Sequence, residues 1–404
     1  MDTLIINTGS SSIKYQMINM PSGKVLCNGL VERIGEEQGK ITHQKHCVND
    51  DSKTVFEEQI VNHEIGMQKI AELLISKEYG VISNTSDVKL VGHRVVLGGE
   101  KFSKTSVITS EVKDAINKLS IIAPLHNPAN LIGIDVAEQI FPDAMQIGVF
   151  DTSFHHTLPD YAYRYAIPEE FYSKHGIRAY GFHGTSHQYV SRRAAKLLDK
   201  PYNEVNLITI HLGNGASIAA IKNGKSIDTS LGMTPISGLV MGTRVGDIDP
   251  GVVIYMGESL GLSIEEIKRI FNKESGLKGF TGENDMRIIE SEFKKDNPQA
   301  ILALKTSAYR IKKYIGSYLA AIGPIDGIVF TAGIGENSNL MRSLVTNGLS
   351  HLGIEIDEGL NSDSNKQERD ISSKDAKVKT FVIPTNEEFE IARQAYELFH
   401  KDAD

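Results

Sequence analysis

Two short runs of this chain share one plan. The first is Leu4-Ile5-Ile6-Asn7-Thr8-Gly9-Ser10-Ser11-Ser12-Ile13-Lys14, and the second is Leu207-Ile208-Thr209-Ile210-His211-Leu212-Gly213-Asn214-Gly215-Ala216-Ser217-Ile218. Each reads as an apolar strand, a bend of Gly, Ser and Asn, and a second strand. The bends differ by one residue in length, counted from Gly9 to Ser12 and from Gly213 to Ser217. Small residues there let backbone N–H groups approach an anion with no Cβ in the way. The likeness runs on into a turn and a further strand, through Pro21-Ser22-Gly23-Lys24 in the first copy and Lys222-Asn223-Gly224-Lys225 in the second. Asn-Gly between strands is a strong hairpin signal, because both central positions tolerate positive φ. The pattern predicts a duplicated fold whose two bends grip a polyphosphate from both sides.

At 404 residues the chain has room for two domains, since single cores stop growing near roughly 250–300 residues. A hydrophobic content of 40% and a charged content of 23% are ordinary for a soluble globular protein. The net charge of -8, with no long Lys/Arg run, argues against a nucleic-acid partner. An anionic ligand would therefore be met by individual arginines in a cleft. Cys27 and Cys47 have no metal-type spacing and fit a reduced cytosol. The chain opens directly on a strand with no leader-like region, and no run of about 18 apolar residues suggests a membrane span. A cytoplasmic protein is expected.

Further strands are expected at 88–96, 144–150, 327–330 and 378–383, with helical periodicity over 130–140, 187–198 and 299–320. Gly323-Pro324 stops the last of these helices. Strands alternating with helices and mixed with hairpins indicate an α/β fold with mixed sheets flanked by helices. The polar stretch 361–377 reads as an exposed loop. The domain boundary is placed near 150, giving an N-terminal domain of 1–150 and a C-terminal domain of 151–384. A final helix, about 385–404, returns to the first, an arrangement suited to closure over substrate.

Several segments carry chemistry-bearing residues. Gly224-Lys225-Ser226 ends like a P-loop, but Ala219 stands where that motif requires glycine, and the segment opens no helix. His126 lies between Pro124 and Pro128 in a rigid turn feeding a helix, and Asp151 follows a strand directly, where a carboxylate serves a metal, a substrate or merely a turn. His183 and His187 have the i, i+4 spacing of a zinc pair, yet the metalloprotease Glu is missing and Gly184 weakens a helix there. A His donor to a developing phosphoryl charge is the better reading. Arg94 and Arg244, each two residues from a glycine, suit bidentate contact with a carboxylate or phosphate better than a surface ion pair. Gly333-Ile334-Gly335-Glu336-Asn337 follows a strand and precedes a helix, an arrangement that admits a nucleotide edge. Asn386 reads as an N-cap, with Glu387 in the first helical turn and able to serve a metal.

Taken in order, these segments resemble the motifs of the acetate kinase family: Asn7 to Lys14, His93-Arg94-Val-Val, Pro124-Leu-His126-Asn-Pro, Phe150-Asp151-Thr, Phe182-His183-Gly-Thr-Ser-His187, His211-Leu-Gly-Asn-Gly215, Met241-Gly-Thr-Arg244, Gly333 to Asn337, and Asn386-Glu387-Glu388. The resemblance covers the chain from end to end. It implies duplicated RNase H-like (actin-like ATPase) domains with a cleft between them, ATP/ADP as co-substrate, Mg²⁺ or alternatively Mn²⁺, and a homodimer formed through the second domain. It further implies that Asn7 and Glu387 support the metal while Ser12 and Lys14 face the phosphates. His211, Leu212, Gly213, Asn214 and Gly215 would form the second phosphate loop. Asp285, Met286 and Arg287, with Gly333, Ile334, Gly335, Glu336 and Asn337, would hold the adenosine. Arg94 and Arg244 would bind the substrate carboxylate, with His183 and Arg244 steadying the transferring phosphoryl group, His126 beside the transferred group and Asp151 as the catalytic carboxylate. Val96, Leu125, Phe182 and Pro235 would line a small apolar pocket for the substrate methyl. Two positions depart from the family pattern: Leu97 replaces a common His, and Ala332 replaces a common Gly that a negative φ would make dispensable.

The reaction implied is ATP + acetate ⇌ ADP + acetyl phosphate by direct in-line transfer. A carboxylate substrate is already ionised at neutral pH, so no general base is required and an orienting role suits Asp151. The rival enzyme is a kinase for propionate or another short-chain acid, since one methylene is worth only about 1–3 kcal/mol in an apolar pocket. Weaker rivals are an actin-like nucleotide switch, which needs no paired arginines, and a zinc hydrolase built on His183, His187 and Asp151.

Overall fold

A computed structural model of the chain describes residues 1–46, 53–124 and 126–401. The chain forms two compact units, one of Met1–Ser153 with Asn386–Asp404 and one of Phe154–Thr385. In the first, eight strands form one mixed sheet: β1 (Asp2–Thr8), β2 (Ser12–Asn19), β3 (Lys24–Glu32), β4 (Gly39–Lys45), β5 (Lys53–Glu58), β6 (Leu90–Val95), β7 (Ser106–Val107) and β8 (Met145–Phe150), in the order β5-β4-β3-β2-β1-β6-β8-β7. In the second, β9 (Leu207–Leu212), β10 (Ala216–Lys222), β11 (Lys225–Thr229), β12 (Gly327–Thr331), β13 (Arg369–Asp370) and β14 (Lys379–Val382) are ordered β11-β10-β9-β12-β14-β13.

The duplication read from the hairpins extends to five strands of each sheet. In each unit a strand pairs antiparallel with the one after the bend and parallel with a later strand, which pairs parallel with a third. The core order β3-β2-β1-β6-β8 is thus repeated as β11-β10-β9-β12-β14. The bends themselves differ from the expected lengths. Thr8 pairs with Ile13 and Leu212 with Ala216, so the second bend is the tighter, and Ser217 already belongs to a strand, opposite His211. Asn223 and Gly224 adopt φ of 52° and 70°, as the Asn-Gly turn demands.

Alternation along the strands divides the first sheet cleanly. Leu4, Ile6, Ile13, Tyr15 and Met17 point to one side, into a core shared with residues of the helices His63–Ile75 and Asn127–Ile140. Ile5, Ile18, Leu90, Ile147 and Val149 point to the other, against Ile391, Ala392 and Ala395 of the helix Glu387–Lys401. Gly92 permits that close approach: a Cβ there would stand 3.0 Å from Ile391 Cγ2. In the second unit the helix Gly184–Leu197 supplies Val190, Ala194 and Ala195 to a core with Leu207, Ile221 and Val329.

Three expectations are corrected. The helix anticipated from 187 begins at Gly184, because His183, in the left-handed region at φ 57°, turns the chain and leaves glycine at a first position where its helical cost is small. The stretch 361–377 is not a simple exposed loop: Asn361 and Ile371 are fully buried and Arg369–Asp370 forms the edge strand. Ala332 has φ of 64°, not the negative value that would make replacement of glycine costless. Cys27 is buried, its thiol pushed up to about 12 chiefly by desolvation, while Cys47 lies outside the described residues. No helix among the described residues is long and apolar enough to cross a membrane.

Candidate active site

In the first unit the candidate side chains stand where the apolar rows end. Asn7 follows Ile5 by two residues and pairs with Lys14, so both project on the face covered by the C-terminal helix. Arg94 and Asp151 likewise continue the rows of Gly92 and Val149. The helix begins at that edge. Asn386 caps it, its Oδ1 accepting from the N–H of Phe389 at 3.0 Å, and Glu387 and Glu388 fall in the first turn. Arg94 donates to Asp151 twice, Nε to Oδ1 at 3.0 Å and Nη2 to Oδ2 at 2.7 Å, and its Nε lies 3.6 Å from Oε2 of Glu387. Lys14 Nζ meets Glu388 at 2.5 Å. Burial alone would lower the Arg94 guanidinium; Asp151 and Glu387 more than offset this and hold it above its ordinary value. Burial pushes the Glu387 carboxyl up, against the opposing pull of Arg94.

Two asparagines that the motifs did not single out fix this edge. Asn127 Nδ2 donates to the carbonyls of Leu97 and Ile116, and its Oδ1 accepts from the N–H of Leu97. Asn130 Nδ2 donates to Thr8 O at 2.8 Å, while its Oδ1 accepts from the N–H of Val96. The ends of β1 and β6 are thus tied to one helix. Leu97 is itself fully buried, held by this clamp. His126 occupies the N-cap position of that helix without capping it through its side chain. Val96 is buried, Ser12 opens β2, and Leu125 lies outside the described residues.

In the second unit the tight bend after β9 gathers the other candidates. A Cβ built on Gly215 would stand 3.4 Å from Nη1 of Arg244 and 3.5 Å from Nε2 of His183. The His183 and His211 rings stack with centroids 4.2 Å apart. Ser186 Oγ lies 2.8 Å from Nδ1 of His211 and 2.9 Å from the Thr385 hydroxyl. His187 is not placed to ligate a metal with His183: its ring nitrogens meet Thr209 and Ser217. Arg244 is largely buried, which lowers its guanidinium, and among the described residues its hydrogen bond goes to a backbone carbonyl, Pro235 O at 3.1 Å. Phe182 is buried and its carbonyl accepts from His155.

A narrow recess beside the bend is lined by Leu212, Gly213, Met241, Gly242, Met286 and Ile334, so it joins three of the expected nucleotide segments. Asn214 and Gly242 touch closely, and Gly333 has open space where a Cβ would stand. Glu336 Oε1 accepts from the N–H of Thr385 at 3.1 Å, and Asn337 Nδ2 donates to Gly333 O. Asp285 caps the helix Met286–Phe293 and pairs with Arg287, which holds its carboxyl down at about 2. One residue of this region carried no motif at all. Arg342, 1% exposed, donates to the carbonyls of Gly335 and Glu336 and to both oxygens of Asn361, fastening the end of the short helix Ala332–Asn337, which stands where a Gly turn was expected.

A divalent cation fits the first unit's donors. Asn7 and Glu387 offer hard oxygens, and burial of Glu387 without a full countercharge is relieved by a cation. Among the described residues no group of three His, Cys, Asp or Glu is arranged as a metal cage.

Two mixed sheets of repeated topology, each opening on a glycine-lined bend, define a duplicated RNase H-like fold of the actin-like ATPase class. The model of the Acetokinase family matches residues 2–393, and the chain belongs to that family. It is 52% identical to the acetate kinase of Flavobacterium johnsoniae, covering 98% of this chain and 99% of that one. It is 50% identical to the acetate kinase of Nitratidesulfovibrio vulgaris, covering 97% and 98%. Among solved structures it is similar to Porphyromonas gingivalis acetate kinase (TM-score 0.92, 45% identity, 98% and 99% covered). A propionate kinase from Francisella tularensis matches nearly as well (TM-score 0.91, 41% identity, 98% and 99% covered). The family implies a phosphotransferase with ATP/ADP as co-substrate, a divalent metal and a carboxyl acceptor.

Proposed function

We propose that this chain reversibly transfers the γ-phosphoryl group of ATP to acetate, giving acetyl phosphate and ADP by direct in-line displacement with Mg²⁺, Mn²⁺ being the alternative ion. The observation that carries the reading is Arg244: a guanidinium largely withdrawn from water, with no carboxylate partner among the described residues, beside a glycine bend and a histidine. A buried cation without an anion is costly, and an anionic ligand removes the cost.

The residues divide the work. The bend of His211 to Gly215 presents backbone N–H groups to the phosphates, with Ser12 and Lys14 serving the same end from the first unit. Asp285, Met286 and Arg287, with Gly333 to Asn337, receive the adenosine. Asn7 and Glu387 would hold the metal, whose charge would offset that of the phosphates. Arg94 and Arg244 receive the acetate carboxylate, and His183, Arg244 and His126 surround the transferring group. Asp151 holds Arg94 in a two-point grip, which supports orientation in place of proton removal. Catalysis then rests on positioning and on cations about the equatorial oxygens. By their places in the family motifs, Val96, Leu125, Phe182 and Pro235 are assigned to the methyl group.

The second unit carries nucleotide binding and homodimer formation. The helix Pro250–Glu258 supports the latter, since none of its residues is buried and Ile254 and Tyr255 are 58% and 59% exposed. A cytoplasmic location follows from the substrates. Propionate is the second reading, supported by the Francisella propionate kinase match. The test is to trap the acyl phosphate with hydroxylamine in the presence of ATP and Mg²⁺, offering acetate, propionate and butyrate in turn. Acetyl hydroxamate in excess over the others is expected; hydroxamate from none of the acids would overturn the reading.

A further inference from the structure

His183 sits at the end of a chain of buried hydrogen-bonding groups. Thr209 Oγ1 lies 2.7 Å from Nδ1 of His187, and Ser217 Oγ lies 2.8 Å from Nε2 of His187 and 2.8 Å from Nδ1 of His183. Thr209, His187 and Ser217 are each fully buried. The fold sets this up by alternation: Thr209 and His211 of β9 and Ser217 of β10 share the face covered by the helix Gly184–Leu197.

Counting protons decides the direction of the chain. The Ser217 hydroxyl has one proton, so it donates to one imidazole and must accept from the other. In one arrangement Thr209 donates to Nδ1 of His187, Nε2–H of His187 donates to Ser217, and Ser217 donates to Nδ1 of His183. In the reverse arrangement every bond runs the other way and Thr209 becomes an acceptor. Its own proton would then lie in the sheet interior with no acceptor, because His187 is the one partner of that hydroxyl among the described residues. Buried donors are rarely left unpaired. The forward chain leaves none unpaired.

We propose that Thr209, His187 and Ser217 act as a tautomer latch, keeping Nδ1 of His183 an acceptor and its proton on Nε2. The latch needs His187 to hold a single proton, and burial, with His155 and His211 close by, keeps that ring neutral. Nε2 is the atom of His183 that faces the Gly215 bend, where Nη1 of Arg244 also lies. The stacked His211 ring fixes the imidazole plane from the side. On the phosphotransfer reading above, on which this consequence rests, the latch guarantees an N–H donor to an equatorial phosphoryl oxygen. Thr209, His187 and Ser217 are positioning residues that act through His183.

Full-length protein labelled with ¹⁵N-histidine, studied by two-bond ¹H–¹⁵N correlation at pH 8, reports the tautomer directly, with His183 assigned from its loss in H183N. The wild type is expected to show the Nε2–H pattern. Thr209→Val removes one hydroxyl with little change of shape and should give a tautomer mixture at His183, while Thr209→Ser restores the wild-type pattern. Ser217→Ala should do the same as Thr209→Val, and it serves if the valine variant fails to fold. Both T209V and S217A should lower kcat, by roughly twofold to tenfold on the scale of groups that orient a functional imidazole, with both KM values little changed. An Nδ1–H pattern in the wild type, or an unchanged His183 pattern in T209V and S217A, would overturn the latch. Because the spectrum needs no turnover, it decides this point even if no acid proves to be phosphorylated.

Discussion

Arg94 and Asp151 face each other through two parallel hydrogen bonds, 3.0 Å from Nε to Oδ1 and 2.7 Å from Nη2 to Oδ2, with the aspartate side chain 2% exposed. Both carboxylate oxygens are thus engaged by the guanidinium. Asp151→Asn keeps the shape but replaces one acceptor with a donor that opposes Nε or Nη2. A fall in kcat of about 10²-fold, near 3 kcal/mol, is expected by comparison with removal of a single transition-state donor. Steady-state rates from pH 6 to pH 9 check the role: the loss should be the same throughout. Recovery at high pH, following one deprotonation, would mean that Asp151 removes a proton.

Ala332 carries a side chain at φ 64° and is 6% exposed. The left-handed region costs an L-residue roughly 1–2 kcal/mol, and a glycine there returns about 0.4–1 kcal/mol of that through the freedom of the unfolded chain. Ala332→Gly should therefore stabilise the protein by about 0.5–1 kcal/mol. The measurement is the thermal midpoint at fixed protein concentration, which should rise. An unchanged or lowered midpoint would show that contacts of the buried methyl group already repay the strain.

How far the sequence alone reaches is clear from such residues. The duplicated hairpins were legible because strand, bend and turn chemistry are local: the Asn223-Gly224 turn and the paired bends follow from neighbouring residues. The N-cap at Asn386 was legible for the same reason. The left-handed φ of Ala332 was not, since nothing in a lone alanine signals it. Nor was the burial of Asn361 and Ile371, because a polar stretch hides its contacts with segments far along the chain. Asn127 and Asn130 could have been found, being polar residues on the apolar side of a helical pattern. Arg342 could not, because an arginine on an amphipathic helix reads as solvated.

Asp228 on β11 has its carboxyl pushed up to about 6 by burial, partly opposed by the N–H of Thr229 at 2.7 Å. The folded state therefore binds this proton more tightly than the unfolded chain, whose carboxyl titrates near 4. Stability contributed by the protonated form is present below about pH 4 and is lost as pH rises to about 6. Asp228→Asn should be close to neutral at pH 4 and stabilising at pH 8. The gap between about 4 and about 6 corresponds to about 3 kcal/mol at most, and partial exposure to solvent reduces this to about 1–2 kcal/mol. Urea denaturation at the two pH values measures the difference, and equal effects at both would remove burial of the charge as its cause.

Arg342 is fully buried yet pairs with carbonyls where a carboxylate would be usual: Gly335 O at 2.8 Å, Glu336 O at 3.0 Å and Asn361 O at 2.8 Å, with Asn361 Oδ1 at 2.7 Å. Burial pushes the guanidinium down to about 10, so it remains charged at neutral pH. Its planar fork serves four acceptors on two segments at once, more than the three donors of an ammonium group can satisfy. Arg342→Lys should therefore leave carbonyls unpaired and cost about 2–4 kcal/mol of stability. The kinetic consequence is more specific. Gly335 and Glu336 belong to the short helix proposed to hold adenosine, so KM for ATP should rise several-fold while KM for acetate stays near the wild-type value. Initial rates with each substrate varied at saturating levels of the other test this. An equal rise in both would assign Arg342 to the general stability of the second unit, whereas a rise confined to ATP ties it to that helix.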